Sequence, residues 1–341
     1  RLLPTAFAIL LVATCGSQVA SAQQGTATQD PISVKVEPQT PSPGFETTIS
    51  LESTSVDLGA STMTWSVDGV VMQEGSSIKS FTFKMGPAGQ QTKVTLTVKP
   101  AVGSAFTRTF TFRPGSVIIL WEADTYVPPF YPGKSFASPG ANLRFQAFPQ
   151  VADQNGNPIA SSQLVFNWEI NGEVYADRSG KGRTTLDLPG NQLNGAESIS
   201  VEILRPDRSS AARGYVTAPS IDPFVRFYKR DPLRGVVYSE ALLGEKRLTE
   251  AETTLVAEPY YISGKVRAQS GFSYEWMLNN NPVASEGGDP LMLTLRQNGQ
   301  QTGSAELSFK LQNLDPKRIL QQATGALRLI LGGTEANTSG L

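Results

Sequence analysis

Apolar and polar residues alternate along most of this chain in short runs, and glycine, proline, asparagine and aspartate break the runs. In Val94-Thr95-Leu96-Thr97-Val98, Ile199-Ser200-Val201-Glu202-Ile203 and Leu307-Ser308-Phe309-Lys310-Leu311, every second side chain is aliphatic or aromatic. That is the period of a strand with one buried face. Thr47–Leu51, Asn142–Phe148 and Thr253–Val256 carry the same signal upstream, the first two introduced by Ser-Pro-Gly at 42–44 and 138–140. Val117–Trp121 and Phe224–Tyr228 read as further strands. One short helix is expected near 315–323, where Asp315 stands before Pro316 as an N-cap and proline occupies the first helical position.

The runs repeat. Trp65-Ser66-Val67-Asp68-Gly69, Trp168-Glu169-Ile170-Asn171-Gly172 and Trp276-Met277-Leu278-Asn279-Asn280 follow one another after 103 and 108 residues. Each pairs Trp with an aliphatic residue on one face and then ends in a hairpin turn, because Gly and Asn tolerate positive φ. The strands quoted first begin 29, 31 and 31 residues after each Trp, following glycine-bearing loops at Pro87–Gly89, Asn194-Gly195 and Asn298-Gly299. A second match crosses the joints: Asp124 with Asp231 and Tyr131 with Tyr238, both 107 apart. A period near 105 means tandem units, each built from one strand set.

Short strands at this spacing, with Trp on the third, resemble the immunoglobulin-like sandwich over nearly all of residues 31–333. The pattern is similar to bacterial Ig-like and PKD-like surface modules, which also lack the antibody disulfide. The Gly-Asp-Gly signature of PKD domains is absent. The joint sequence Trp121–Tyr126 with Pro128-Pro129-Phe130-Tyr131 looks like exported proteins of small-genome bacteria. The expected fold is all-β, with Ig-like domains at 31–114, 115–219 and 220–333. A signal peptide at 1–22 and a linker at 23–30 precede them, and a polar tail at 334–341 follows.

The first 22 residues form an address. Arg1 is a minimal positive region, Leu2–Val12 is an apolar stretch too short to span a bilayer, and Ala20-Ser21-Ala22 is a small-x-small cleavage pattern. A start on Arg rather than Met reads as a chain missing its first few residues. Cys15 follows Val12-Ala13-Thr14 in a lipobox-like setting, so it is either a lipidation site or a small apolar residue of the signal. No later run is long and apolar enough for a transmembrane helix.

Composition narrows the chemistry. There are no histidines and one cysteine among 341 residues. Ser-His and Cys-His nucleophile systems and most zinc and copper sites therefore have no residues to build from. Charge is near balance at −1 and forms no basic cluster, which argues against nucleic acid as a partner. Asp153-Gln154-Asn155-Gly156-Asn157 starts like a calcium loop, but Leu164 stands where the closing glutamate belongs, so a polar turn is expected. Glu122, Asp124, Asp231 and Glu240 at the joints fit either calcium or salt bridges. Asn337-Thr338-Ser339 is a formal sequon. No Gly-rich phosphate loop and no carboxylate pair stands out. The reading is therefore no enzyme, no cofactor and no metal.

Aromatics are the remaining candidates. Trp65, Trp168 and Trp276 are expected at the centres of the three cores. Trp121, Tyr126, Phe130 and Tyr131 cluster at a joint, as an inter-domain contact or an exposed binding patch. The functional expectation is an exported structural or adhesive rod at the cell surface or in the periplasm. Its partners would be surface or pilus proteins. The alternative is a module that binds cell-envelope glycans or peptidoglycan.

Overall fold

The computed structural model describes residues 32–190, 196–268, 270–285, 288–297 and 302–331. The signal segment with Ala20, Ala22 and Cys15, the 23–30 linker, the loops at 194–195 and 298–299, and the 334–341 tail with its sequon lie outside the described residues. The rest is three β-sandwiches in series.

The first contains β1 (Ser33–Glu37), β2 (Glu46–Glu52), β3 (Thr62–Val67), β4 (Val70–Ser76), β5 (Ser80–Lys84), β6 (Thr92–Lys99) and β7 (Phe106–Phe112). A β1-β2-β5 sheet faces a β4-β3-β6-β7 sheet. The second contains β8 (Ser116–Ala123), β9 (Leu143–Gln150), β10 (Val165–Ile170), β11 (Glu173–Val174), β12 (Gly180–Lys181), β13 (Thr185–Leu188), β14 (Glu197–Leu204) and β15 (Ser210–Ala218). Its sheets are β13-β9-β8 and β11-β10-β14-β15, with β12 also on β10. The third contains β16 (Phe224–Asp231), β17 (Gly235–Leu242), β18 (Glu245–Leu248), β19 (Glu252–Tyr260), β20 (Phe272–Leu278), β21 (Asn281–Val283), β22 (Met292–Arg296), β23 (Gly303–Asn313) and β24 (Gln322–Leu331). Here a single parallel bridge, Phe224 to Thr324, joins the two layers into one sheet that runs β21-β20-β23-β24-β16-β19-β22.

The tryptophan strand performs the same task three times. Trp65, Trp168 and Trp276 are buried at the centres of three separate cores. Trp65 stacks on Phe81 at 5.0 Å between ring centres, and Trp276 packs on Phe309 at 4.6 Å. A buried indole N–H needs an acceptor. Each finds a backbone carbonyl two residues before a strand of the opposite layer: Ile78 at 3.4 Å, Arg183 at 2.9 Å and Pro290 at 2.9 Å. The turn after each Trp also repeats. Asp68, Asn171 and Asn279 all have positive φ, as does the residue that follows each. Their side-chain oxygens accept from the backbone N–H of Lys93, Ser198 and Glu306. This is why Asp or Asn, rather than any other residue, stands there: it tolerates the left-handed backbone and ties the hairpin to the neighbouring strand.

Two sequence expectations change. The helix expected near 315–323 is one 3-10 turn, Pro316–Arg318, with the Asp315 side chain accepting from Lys317 N. Its cap is present, but the next residues are drawn into the joint described below instead of extending the helix. In the third unit the Trp strand is preceded by four strands, not two. The segment after β16 folds back as β17 on β16 and as β18 parallel to β24.

Candidate functional site

The most heavily built part of the molecule outside the cores is the joint between the second and third sandwiches. It is made by residues 124–142, the long connection from β8 to β9, seated on two loops at the near end of the third sandwich. Asp124 holds the connection closed by accepting from the backbone N–H of Asn142 at 2.8 Å and from its side-chain amide at 2.7 Å.

Backbone carries the first layer of the contact. Tyr126 N donates to Ile262 O and Tyr261 N to Tyr126 O, both at 2.8 Å, and Thr125 bridges Ser263. Ile221 N donates to Ala137 O at 2.8 Å. The two units thus share short pieces of antiparallel and parallel ladder, which fix register as they do within a sheet.

A buried polar layer lies behind it. Gln321 is fully buried and uses its amide completely. Its Nε2 donates to Ser138 Oγ and to Ser263 Oγ, both at 3.0 Å, and its Oε1 accepts from Ser263 N at 3.0 Å and Asn313 Nδ2 at 3.1 Å. At the rim, Asp124 accepts from Arg318 at 2.7 Å and from Ser263 Oγ at 2.9 Å. Gly140, at φ +80° as its counterpart Gly44 is at +76°, lies so close to Lys317 O and Arg318 that a Cβ would stand 3.1 Å from the former.

Aromatic and charged groups close the outer side. The Tyr131 and Tyr261 hydroxyls meet at 2.7 Å, and Tyr131 sets its ring edge-on to Tyr260. Phe136 sits at 90° to Tyr261, and Phe224 stacks on Tyr260 at 4.8 Å. Below them Glu258 is completely buried. It accepts from Tyr126 and Tyr238, each at 2.9 Å, and from Arg267, which also pairs with Asp289. Burial, reinforced by the Glu258 charge, pushes the Tyr238 hydroxyl up to about 12 and holds Tyr126 well above the usual tyrosine range. Burial raises Tyr260 and Tyr261 likewise, with the hydroxyl bonds to Tyr228 and Tyr131 adding to it.

The four aromatics singled out in the sequence therefore divide. Tyr126 and Tyr131 belong to the joint. Trp121 lies half-buried on β8 with the Lys134 ammonium 3.2 Å above its ring centre, a cation–π contact that occupies the face a sugar would stack on. Phe130 is 90% exposed at the tip of the Pro128–Tyr131 turn. Among the joint carboxylates, Asp124 is engaged as above, and Asp231 accepts from Leu233 N and Arg234 N in its own turn. Asp153 likewise closes the turn at 153–157, accepting from Asn155 N and Asn157 N. No group of three or more His, Cys, Asp or Glu among the described residues is arranged to hold a metal ion. No described helix is long and apolar enough to cross a membrane.

The first joint is lighter. Gly115 N donates to Ala211 O, Arg205 to Arg113 O, Arg113 to Gln154 O, and Thr40 to Ser210 Oγ. An open cleft of about 590 Å3 remains between the units. Sequence reasoning found Asp124 and Tyr131 through their 107-residue repeat. It found Ser138 only as part of the repeated Ser-Pro-Gly before a strand, and it missed Gln321, Ser263 and Glu258 as members of a site.

No family model matches the sequence, and no curated protein does. Among solved structures, three domains of the outer capsid protein Hoc of bacteriophage RB49 align over 89% of this chain and 99% of theirs, at 12% identity and a TM-score of 0.26. The central fibronectin-III array of RIM-binding protein aligns over 89% and 98%, at 10% identity and 0.29. A bacterial ice-binding adhesin involved in host cell surface retention aligns over 89% and 97%, at 11% identity and 0.22.

Proposed function

We propose that this chain is a non-enzymatic spacer of the cell surface, a rod whose second and third sandwiches act as one stiff piece. The observation that carries this is the buried Gln321 layer. An interface between independently moving domains is ordinarily more polar at its rim and wetter than a core. Here a fully satisfied amide, shared main-chain ladders and interlocked tyrosines fix one orientation. Such a joint transmits position rather than gating a ligand. The export-type N-terminus, the repeated modules and a chain without histidine support a surface location and a role in presenting or bridging other surface proteins. With Tyr126 and Tyr131 inside the joint and Lys134 over Trp121, Phe130 is the one of the four joint aromatics left open to a glycan. The location is tested with antibody on intact and lysed producing cells. Labelling of intact cells is expected, and signal only after lysis contradicts the reading.

A further inference from the structure

The two joints are built from the same parts and held by different means. In each, the connection after the first strand of one unit lies against the approach to the last strand of the next. Gly140 meets Lys317 and Arg318 at the second joint, and Thr40 meets Ser210 at the first. Main chain bonds to main chain across the second joint, at Tyr126–Ile262, Tyr261–Tyr126 and Ile221–Ala137. Among the described residues, side chains make the hydrogen bonds across the first. Thr40 Oγ1 donates to Ser210 Oγ at 2.6 Å, Arg113 Nη2 to Gln154 O at 3.1 Å and Arg205 Nη2 to Arg113 O at 2.9 Å.

The connection between these two units has no slack and one pivot. Pro114 O accepts from Gly89 N at 2.8 Å, which ties it to the first sandwich. Gly115 N donates to Ala211 O at 3.0 Å, which ties it to the second. The peptide bond between them is planar, so two torsions set the angle of the units: ψ of Pro114 and φ of Gly115. An interface this small and polar leaves such a pivot free to turn unless something clasps it.

Two arginines are that clasp. Arg205 gathers Ala152 O, Ser210 O and Arg113 O on one guanidinium. Arg113 holds Gly89 O and Gln91 in its own unit and Gln154 O in the next. Every one of these acceptors is neutral, so the joint brings two like charges together without an ion pair to either. Burial, with the Arg113 charge adding to it, holds Arg205 below the usual arginine range, and Asp207 offsets this in part. Asp207 and Asp153 also line the cleft, but each accepts from its own turn, Asp207 from Ser209 and Asp153 from Asn155 and Asn157. The open cleft of about 590 Å3 beside the arginines gives the units room to rock. We infer that the first sandwich swings against the second about Pro114-Gly115, and that Arg205 is the clasp that holds the closed position. The articulation adds to the spacer reading without resting on it, since the second joint is held by other residues.

The test is a pulsed electron–electron distance measurement across the first joint. The chain has no cysteine besides Cys15, so labels go on Glu74→Cys and Glu173→Cys, both exposed, with Cys15→Ser. The otherwise unaltered chain should show a main distance with a second, populated one. Arg205→Met should lose the main peak and broaden. Arg205→Lys should do the same, because an ammonium keeps the charge but cannot span three carbonyls in a fixed fork. Circular dichroism melts verify folding, and Arg113→Met replaces Arg205→Met should the latter not fold. A single narrow distance in the otherwise unaltered chain would overturn the inference, as would a folded clasp variant with an unchanged distribution. Either result leaves the spacer reading standing, which the second joint tests separately.

Discussion

Gln321 donates to the Ser138 hydroxyl at 3.0 Å across 183 residues of sequence, and both side chains are buried. The bond joins the second sandwich to the third at a point water does not reach. Replacing Gln321 with Leu strands Ser263 N–H and leaves Asn313 Nδ2 with only its bond to Ser263 O. A buried group left without its partner costs about 1–3 kcal/mol. The urea midpoint of the third sandwich should fall accordingly, and a midpoint unchanged within error would show that the layer contributes nothing.

Arg267 and Glu258 set up an asymmetric prediction. Glu258 is fully buried, whereas the Arg267 side chain is 40% exposed. Arg267→Met leaves a buried carboxylate with only two tyrosine hydroxyls, and a loss of about 3 kcal/mol is expected, the low end for a stranded buried charge. Glu258→Gln leaves an arginine that keeps Asp289 and solvent, so it should cost clearly less. Thermal unfolding of both variants measures the order, and the reverse order contradicts this description of the site.

Alkaline stability follows from the raised tyrosines. An unfolded tyrosine ionises near 10, while folded Tyr238 does so at about 12, and Tyr126, Tyr260 and Tyr261 are raised as well. The neutral hydroxyl is what the fold favours. Their contribution is thus complete below pH 10 and is lost as pH rises through the folded values. The unfolding temperature should drop between pH 10 and 12, and Tyr238→Phe should flatten that drop. A slope identical in wild type and variant would contradict the assignment.

Trp168→Ala should destabilise the second sandwich by about 3–5 kcal/mol, the range for removing a large aromatic from a packed core. The first and third cores share no residue with it. Hydrogen exchange should therefore accelerate in β8–β15 and remain slow in β3 and β6. Equal acceleration in the first sandwich would mean that the units unfold together.

The repeat was readable in the sequence because it rests on local rules. Alternation marks strands, and Asp68, Asn171 and Asn279 mark hairpins whose backbone only a few residues accept. The aromatic pair Tyr126 and Tyr131 could be placed at a joint but not assigned to contact or patch, since burial there depends on a loop landing on another unit. Gln321, Ser138 and Ser263 look like surface residues in one dimension. Their burial is created by packing 138 against 321, which no local period records. The fold-back of β17 and β18 escaped for a related reason: the segment matches residues 124–142 in sequence, but no further described unit follows for it to cap.

The central claim is that the second and third sandwiches hold one orientation. The chain beyond Cys15 has no cysteine, so a spin-label pair is placed cleanly at Glu173→Cys and Ser273→Cys, both exposed. Pulsed electron–electron distance measurement should give a single narrow distribution that broadens in Gln321→Leu. A broad or multi-peaked distribution in the otherwise unaltered chain would contradict the account.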